Sequence, residues 1–145
     1  MHNGVNRRVG CNHKITFVKK TCFIEMPFDS KFDGVWSFII KPTVESFGHI
    51  AVRGDDIFNV GSILTDIFKN IEFADYIIAD LTQANPNVYY ELGYSHALNK
   101  KVILLTQQMS NLPFDLRGQR VIEYSDSVQG AEKLKKDLNN FIKTI

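Results

Sequence analysis

A single carboxylate, Glu91, lies within a stretch that is otherwise mostly apolar, residues 79–99 (ADLTQANPNVYYELGYSHALN). After a polar turn, this stretch has the pattern of a helix from about residue 86 to residue 98, apolar on nearly every side. Burial of an unpaired carboxylate costs several kcal/mol or raises its pKa, so a sequence seldom has one there without a function. We therefore expect Glu91 to be the central residue of a site.

Polar side chains surround Glu91 on the same helix. Asn85 can cap this helix, and the proline that follows it is favoured in a first helical turn. Four-residue spacing places Asn87, Glu91 and Ser95 on one stripe, with Tyr94 beside it. A carboxylate in this setting can attack the anomeric carbon of a ribose, or stabilise the positive charge that develops on that carbon.

A structural role for Glu91 is the alternative that the residue types leave open. Arg53 or Arg117 could form an ion pair with Glu91 and hold the helix in place.

Strands and helices alternate along the rest of the chain. A proline, Pro42, lies inside the first helical pattern and should kink or split that helix. The alternation predicts a parallel sheet covered on both faces, with the flavodoxin-like strand order 2-1-3-4-5. The expected strands are 21–26, 49–53, 76–79, 101–105 and 121–124, and the expected helices are 32–47, 60–73, 86–98 and 128–145.

Ligands of such sheets bind outside the carboxyl ends of the strands, where the strand order reverses. In this chain the reversal falls between strands 1 and 3. It brings Met26, Pro27 and Phe28 into one crevice with Asp80 and the start of the Glu91 helix.

Two loops could extend this crevice. Arg53, at the end of strand 2, could reach a ribose or phosphate, although a capping turn paired with its neighbouring aspartates explains it equally well. After strand 4, Arg117 could approach a phosphate and Phe114 could close over a base. Alternatively, Phe114 and Leu116 cover the edge of the sheet.

The composition excludes several functional classes. The 145 residues suit one domain, and 44% hydrophobic and 23% charged residues are ordinary globular values. A net charge of +1 gives no broad electrostatic footprint, so we expect no nucleic-acid partner. No apolar run is long enough for a membrane span, and we expect no membrane partner. No histidine pair has metal-ligand spacing, and the phosphate-binding patterns GxxxxGK[ST] and GxGxxG are absent, so we expect no metal and no cofactor.

The first 20 residues form a basic tail that we expect to be partly disordered, ahead of a single domain over residues 21–145. The tail carries cations before the first acidic residue, at Arg7, Arg8, Lys14, Lys19 and Lys20. It has no apolar run of signal-peptide length. Cys11 and Cys22 match neither a zinc site nor a disulfide framework, so we expect a reduced, cytoplasmic compartment.

Five segments together carry a resemblance to a known family. They are FIEMPFD, RGDDI, ADYIIADLTQANPNVYYELGYSHAL, KVILL and LPFDLRG, which cover much of residues 21–124. This combination resembles a bacterial group of small TIR-like proteins that are related to nucleoside 2-deoxyribosyltransferases. The portion NPNVYYELG is its most specific part.

The resemblance implies a flavodoxin-like fold and cleavage of an N-glycosidic bond, in deoxynucleosides for the transferases or in NAD for catalytic TIR domains. Glu91 matches the catalytic glutamate, and Asp75 resembles an aspartate that transferases use near the base. The segment Met26-Pro27-Phe28 matches the strand-1 lip of the pocket. Transferases carry a second carboxylate shortly before the nucleophile, where this chain has Asn85 and Asn87.

Two main hypotheses follow. The first is an enzyme that cleaves the N-glycosidic bond of a nucleotide or NAD through Glu91. The second is a non-catalytic TIR-like module that binds a nucleotide-like small molecule and transmits the signal by self-association. A purely scaffolding domain is a third possibility, which the polar stripe around Glu91 disfavours. For either of the first two we expect a homo-oligomer, because the helices leave one edge of the crevice open.

Overall fold

A computed structural model describes residues 17–57 and 60–145. Its five strands form one parallel sheet in the order β2-β1-β3-β4-β5, which confirms the predicted order. The strands are β1 (Thr21–Glu25), β2 (Ile50–Arg53), β3 (Tyr76–Asp80), β4 (Lys101–Thr106) and β5 (Val121–Glu123). Most of the basic tail, with Cys11, lies outside the described residues.

Four helices cover the sheet, two on each face. The helix α1 runs through Asp33–Val35, Trp36–Ile40 and Lys41–Ser46, α2 is Ile63–Phe73, α3 is Pro86–Ala97 and α4 is Val128–Ile142. One face packs α1 and α4 through side chains that include Ile40, Val44, Leu134 and Leu138. The other packs α2 and α3 through side chains that include Ile67, Ile71, Val88 and Leu92. Both faces of β3 are buried, as its unbroken apolar sequence predicts.

Pro42 is accommodated within α1 without ending it. The preceding residues, Trp36–Ile40, form a π-helical turn in which the Lys41 N–H donates to the Trp36 carbonyl. Proline has no N–H to donate to the carbonyl four residues earlier, and a π turn loosens the helix where that bond is missing. The predicted disruption at Pro42 therefore takes the form of a π turn inside a continuous helix.

Charged side chains lie at the carboxyl ends of the central strands. Glu25, Arg53 and Asp80 are the last residues of β1, β2 and β3, and each is at most 2% exposed. Neighbouring positions on a strand face opposite sides of the sheet, and the register decides which side each charge faces. Among the described residues, no helix has the length and apolar character needed to cross a membrane.

Candidate functional site

The loop between β3 and α3 forms the base of the site. Asn85 caps α3, as predicted, because its side chain accepts hydrogen bonds from the N–H groups of Asn87 and Val88. The two residues before the cap have left-handed backbone conformations, with φ of 69° at Gln83 and 50° at Ala84. Non-glycine residues seldom adopt this conformation, so the turn is locally strained where it joins the helix.

A polar cavity of about 260 Å³ opens beside this turn. We call it the polar lobe. Its wall combines residues 26–29 directly after β1, which we call the β1 lip, with the strained turn and the first turns of α3. The lining residues are Met26, Pro27, Phe28, Asp29, Gln83, Asn85, Asn87, Val88 and Glu91.

A second cavity of about 260 Å³ adjoins the first and is mostly apolar. We call it the apolar lobe. Its residues come from the β1 lip and from the facing sides of α2 and α3, and they are Phe28, Ile63, Leu64, Ile67, Asn87, Tyr90 and Glu91. Phe28, Asn87 and Glu91 line both lobes, so Glu91 lies where an apolar and a polar cavity meet.

Glu91 is partly buried, and burial raises its pKa to about 7. Within residues 17–57 and 60–145 no ion pair involves Glu91. Arg53, one of the two expected partners, pairs with Asp33 and Asp55. The structure therefore contradicts the alternative in which an arginine forms an ion pair with Glu91. A carboxyl group with a pKa near 7 exchanges its proton in the neutral range, which suits chemistry at that pH.

Sequence reasoning missed a second carboxyl group, Glu25. It is completely buried at the end of β1, where the Ser95 hydroxyl donates a hydrogen bond to Glu25 Oε1. Burial raises the pKa of Glu25 to about 8, the Ser95 bond lowers it, and the charge of Glu91 raises it further. The same criterion that singled out Glu91, a carboxylate inside an apolar run, would have identified Glu25 in the segment TCFIEM.

Arg53 does not line either lobe, but it holds the lip that does. Its guanidinium is 2% exposed and contacts Asp33 Oδ1 at 3.2 Å and Asp55 Oδ1 at 3.3 Å. It also donates to the Pro27 carbonyl at 3.0 Å and lies 5.8 Å from the ring centre of Phe28. Its predicted contact with a ribose or phosphate is replaced by these internal contacts.

Two carboxylates that the sequence predicts for the site, Asp75 and Asp80, lie outside it. Asp75 precedes β3 at the amino edge of the sheet, where it accepts a hydrogen bond from the Thr21 N–H at 2.7 Å. It is separated from the site by the length of β3, roughly 16 Å, which corrects the expectation that it acts with Glu91. Asp80 is at the carboxyl edge, but it faces α1 and α4 and bonds Thr82 and Tyr124. Its side chain therefore lies on the opposite face of the sheet from Glu91, which corrects the expectation that Asp80 contacts a ligand in this crevice.

Three further predicted residues also lie outside both lobes. Tyr94 donates to Glu72 Oε1 at 2.5 Å and packs on Phe68, with ring centres 4.3 Å apart. Phe114 is 81% exposed and Arg117 is exposed, and neither lines the polar or the apolar lobe. In the described part of the chain, no group of three or more His, Cys, Asp or Glu side chains is placed to hold a metal ion.

Several solved structures have a similar backbone. A 2-desoxiribosyltransferase from Leishmania mexicana superposes with a TM-score of 0.59 and 22% identity, over 78% of this chain and 94% of that chain. A 2-deoxyribosyltransferase from Bacillus psychrosaccharolyticus gives 0.61 and 16%, over 83% and 90%. A CMP N-glycosidase from Clostridium botulinum gives 0.63 and 19%, over 87% and 100%. The chain shares their fold. Neither a protein-family model nor a curated protein matches this sequence.

Proposed function

We propose that this protein cleaves the N-glycosidic bond of a nucleoside or nucleotide, NAD included, with Glu91 as the nucleophile. The observation that carries the proposal is the position of an unpaired carboxyl group at the junction of an apolar and a polar lobe. The proteins with similar structures support it, because their names describe deoxyribosyl transfer and N-glycosidase action on CMP.

The two lobes differ in the part of a nucleoside that they suit. The apolar lobe offers the rings of Phe28 and Tyr90 for contact with a base. The polar lobe offers the amides of Gln83, Asn85 and Asn87 for hydrogen bonds with sugar hydroxyl groups. Neither described lining includes lysine or arginine, so the lobes suit the base and sugar better than a phosphate.

The chemistry follows from the position of Glu91 between base and sugar. Its ionised carboxylate attacks the anomeric carbon and forms an ester bond as the carbon–nitrogen bond breaks. The electron pair of that bond leaves with the base, which takes up a proton from solvent unless it departs as a neutral ring, as nicotinamide does. Water then hydrolyses the ester, which releases the sugar and a proton and restores the Glu91 carboxylate.

Substitution of Glu91 tests the proposal. Glu91→Gln keeps the size of the side chain but removes the nucleophile, so release of free base should fall by at least about 10³-fold. The measurement is chromatography of free base from a panel of deoxynucleosides, nucleoside monophosphates and NAD. Glu45→Gln, an exposed change on α1, is the matched control and should retain activity. Equal turnover by the wild type and Glu91→Gln would contradict the proposal.

A non-catalytic binding module is the second candidate. The observation that favours it is the raised pKa of Glu91, since a carboxyl group that is partly protonated at pH 7 is a good hydrogen-bond donor but a weak nucleophile. This candidate predicts a measurable Kd for a member of the same panel, with no free base after prolonged incubation.

A further inference from the structure

The buried end of β1 places Glu25 behind the Glu91 helix. Alternation along β1 puts Glu25 on the same face as Phe23, against α2 and α3. Ser95, one helical turn after Glu91, donates its hydroxyl hydrogen to Glu25 Oε1. The other oxygen, Glu25 Oε2, is buried and has no hydrogen-bond partner in the described structure. A buried polar atom without a partner is costly, so this oxygen requires an explanation.

Among residues 17–57 and 60–145, Glu91 is the only charged side chain that affects the pKa of Glu25. From α3, Ser95 and Glu91 interact with it. From α2, the face against the sheet is apolar and contributes Ile67 and Ile71. The remaining titratable group is the Cys22 thiol in β1, which burial keeps neutral because its pKa is raised well above 9.

The charged ends of the neighbouring strands face the other side of the sheet. Arg53 of β2 pairs with Asp33 of α1, and Asp80 of β3 bonds Tyr124. No cation in the described structure therefore stabilises an ionised Glu25, and its neutral form is favoured. Since Oε1 accepts the Ser95 hydrogen, the proton of neutral Glu25 belongs on Oε2.

We propose that Glu25 is a positioning residue that acts through Glu91. It keeps its proton while Glu91 ionises, so that the two side chains together carry one negative charge, and its bond to Ser95 holds the turn of α3 that follows Glu91. This inference rests on the proposed function for its catalytic consequence, but the pairing itself is a property of the protein alone.

The pairing supplies the second carboxyl group that the sequence of α3 lacks. Asn85 and Asn87 stand shortly before Glu91, where the transferases that this sequence resembles carry a second acid, and β1 contributes one instead. Glycosidic chemistry commonly uses two carboxyl groups held in different protonation states. Burial raises the pKa of both carboxyl groups, and the completely buried Glu25 keeps its proton more readily than the partly exposed Glu91.

The first test needs no substrate. Carbon-13 NMR of labelled glutamate carboxyl groups is followed against pH in the folded wild type, in Glu91→Gln and in Ser95→Ala. We expect the Glu25 midpoint to fall in Glu91→Gln, because a negative neighbour is removed, and to rise in Ser95→Ala, because a hydrogen bond to the ionised form is lost. Asp80→Asn is the control, because it removes a buried carboxyl group on the opposite face of the sheet. It should leave the titration midpoints of Glu25 and Glu91 unchanged. The pairing would be overturned by a wild-type Glu25 titration midpoint near pH 4.5, or by a midpoint that is the same in the wild type and in Glu91→Gln.

The second test uses activity. Wild-type kcat/KM for base release should rise through pH 7 as Glu91 ionises and decline above pH 8, by about tenfold per pH unit, as Glu25 loses its proton. Glu25→Gln cannot ionise but can still donate and accept hydrogen bonds, so it should keep the rise and lose the decline. A decline that persists in a folded Glu25→Gln variant, checked by circular dichroism, would contradict the positioning role. If no substrate is turned over while the NMR coupling holds, the proposed function fails and the pairing stands.

Discussion

Glu25 and Glu91 hold their protons to higher pH than ordinary carboxyl groups, because the fold removes both from water and no cation in the described part of the chain pairs with either. The cost of burying charge is thus avoided by protonation in the case of Glu25. Glu91, at the junction of two open lobes, retains enough solvent contact to ionise near neutral pH. The difference between the two residues arises from their depth rather than from their chemistry.

Stability should therefore decrease as the pH rises. The pKa of Glu25 is about 8 in the folded state and 4.5 when exposed, so the folded form binds more protons between these values. Its contribution to the free energy of unfolding is fully present below pH 4.5 and is lost as the pH rises through 8, by roughly 3–5 kcal/mol. Urea unfolding at pH 5 and pH 8.5 measures this change.

Glu25→Gln is the matched variant for that measurement. Because glutamine does not ionise, the part of the stability change that Glu25 causes should disappear, and the smaller fall that remains between pH 5 and pH 8.5 is that of Glu91, whose pKa is also raised. A slope that is the same in both proteins would show that other groups control the pH dependence.

At the residue scale, spacing identified Asn87 and Glu91 as neighbours because both lie on one helix. The partner of Ser95 was beyond such reasoning, since Glu25 is 70 positions earlier and meets it only through the packing of α3 on β1. Local periodicity predicts which residues share a face, but the partner of a face depends on tertiary packing.

Among the elements, the β1 lip is the part of the site that another element holds in place. Pro27 and Phe28 have no regular structure, yet Pro27 is buried and its carbonyl accepts a hydrogen bond from Arg53. Close packing reinforces this contact, since a Cβ atom on Gly54 would lie only 2.8 Å from Phe28 Cζ. The end of β2 therefore fixes a wall that both lobes share.

Arg53→Met should loosen that wall. Methionine fills part of the space but cannot donate to the Pro27 carbonyl, so we expect a stability loss of about 2 kcal/mol and a Kd for nucleoside ligands that rises by about fivefold or more. Isothermal titration and thermal unfolding provide the two measurements. Arg117→Met, an exposed change outside both lobes, is the control and should alter neither.

Most elements were predictable because their patterns are local. The predicted helix 86–98 is observed as Pro86–Ala97, and the strand 101–105 as Lys101–Thr106. The helix expected over 60–73 begins at Ile63, where Ser62 caps it through the Thr65 N–H. The π turn in α1 could not be read from the pattern, since a proline predicts disruption without specifying its geometry.

For the whole molecule, strand alternation was enough to predict the sheet order, because few topologies satisfy right-handed parallel crossovers. The expected loop contacts were less predictable. Phe114 and Arg117 follow the correct strand, but the direction of an irregular loop depends on packing that periodicity does not encode. The position of Asp75 was deducible in principle, since a residue before a parallel strand belongs to the amino edge.

Self-association is a prediction at this scale. Apolar side chains cluster at the mouth of the apolar lobe, where Ile63 is 72% exposed and Phe28 and Tyr90 are each 60% exposed. Contiguous exposed apolar groups are typical of interfaces, so we expect sedimentation velocity to detect a homo-oligomer at micromolar concentrations. Ile63→Ser should shift the equilibrium toward monomer, whereas Phe38→Ser on α1, 83% exposed in the wild type, should not. A monomer at every concentration would contradict this expectation.

The left-handed turn at Gln83 and Ala84 has a practical consequence for protein engineering. Ala84 is exposed and lies outside both lobes, while its neighbours on each side line the polar lobe. Glycine adopts the Ala84 backbone conformation, φ 50°, without steric penalty. Ala84→Gly would therefore relieve local strain of about 1 kcal/mol without changing a side chain that lines either lobe. Ala84→Gly is accordingly expected to raise thermal stability without altering the side chains that contact a substrate.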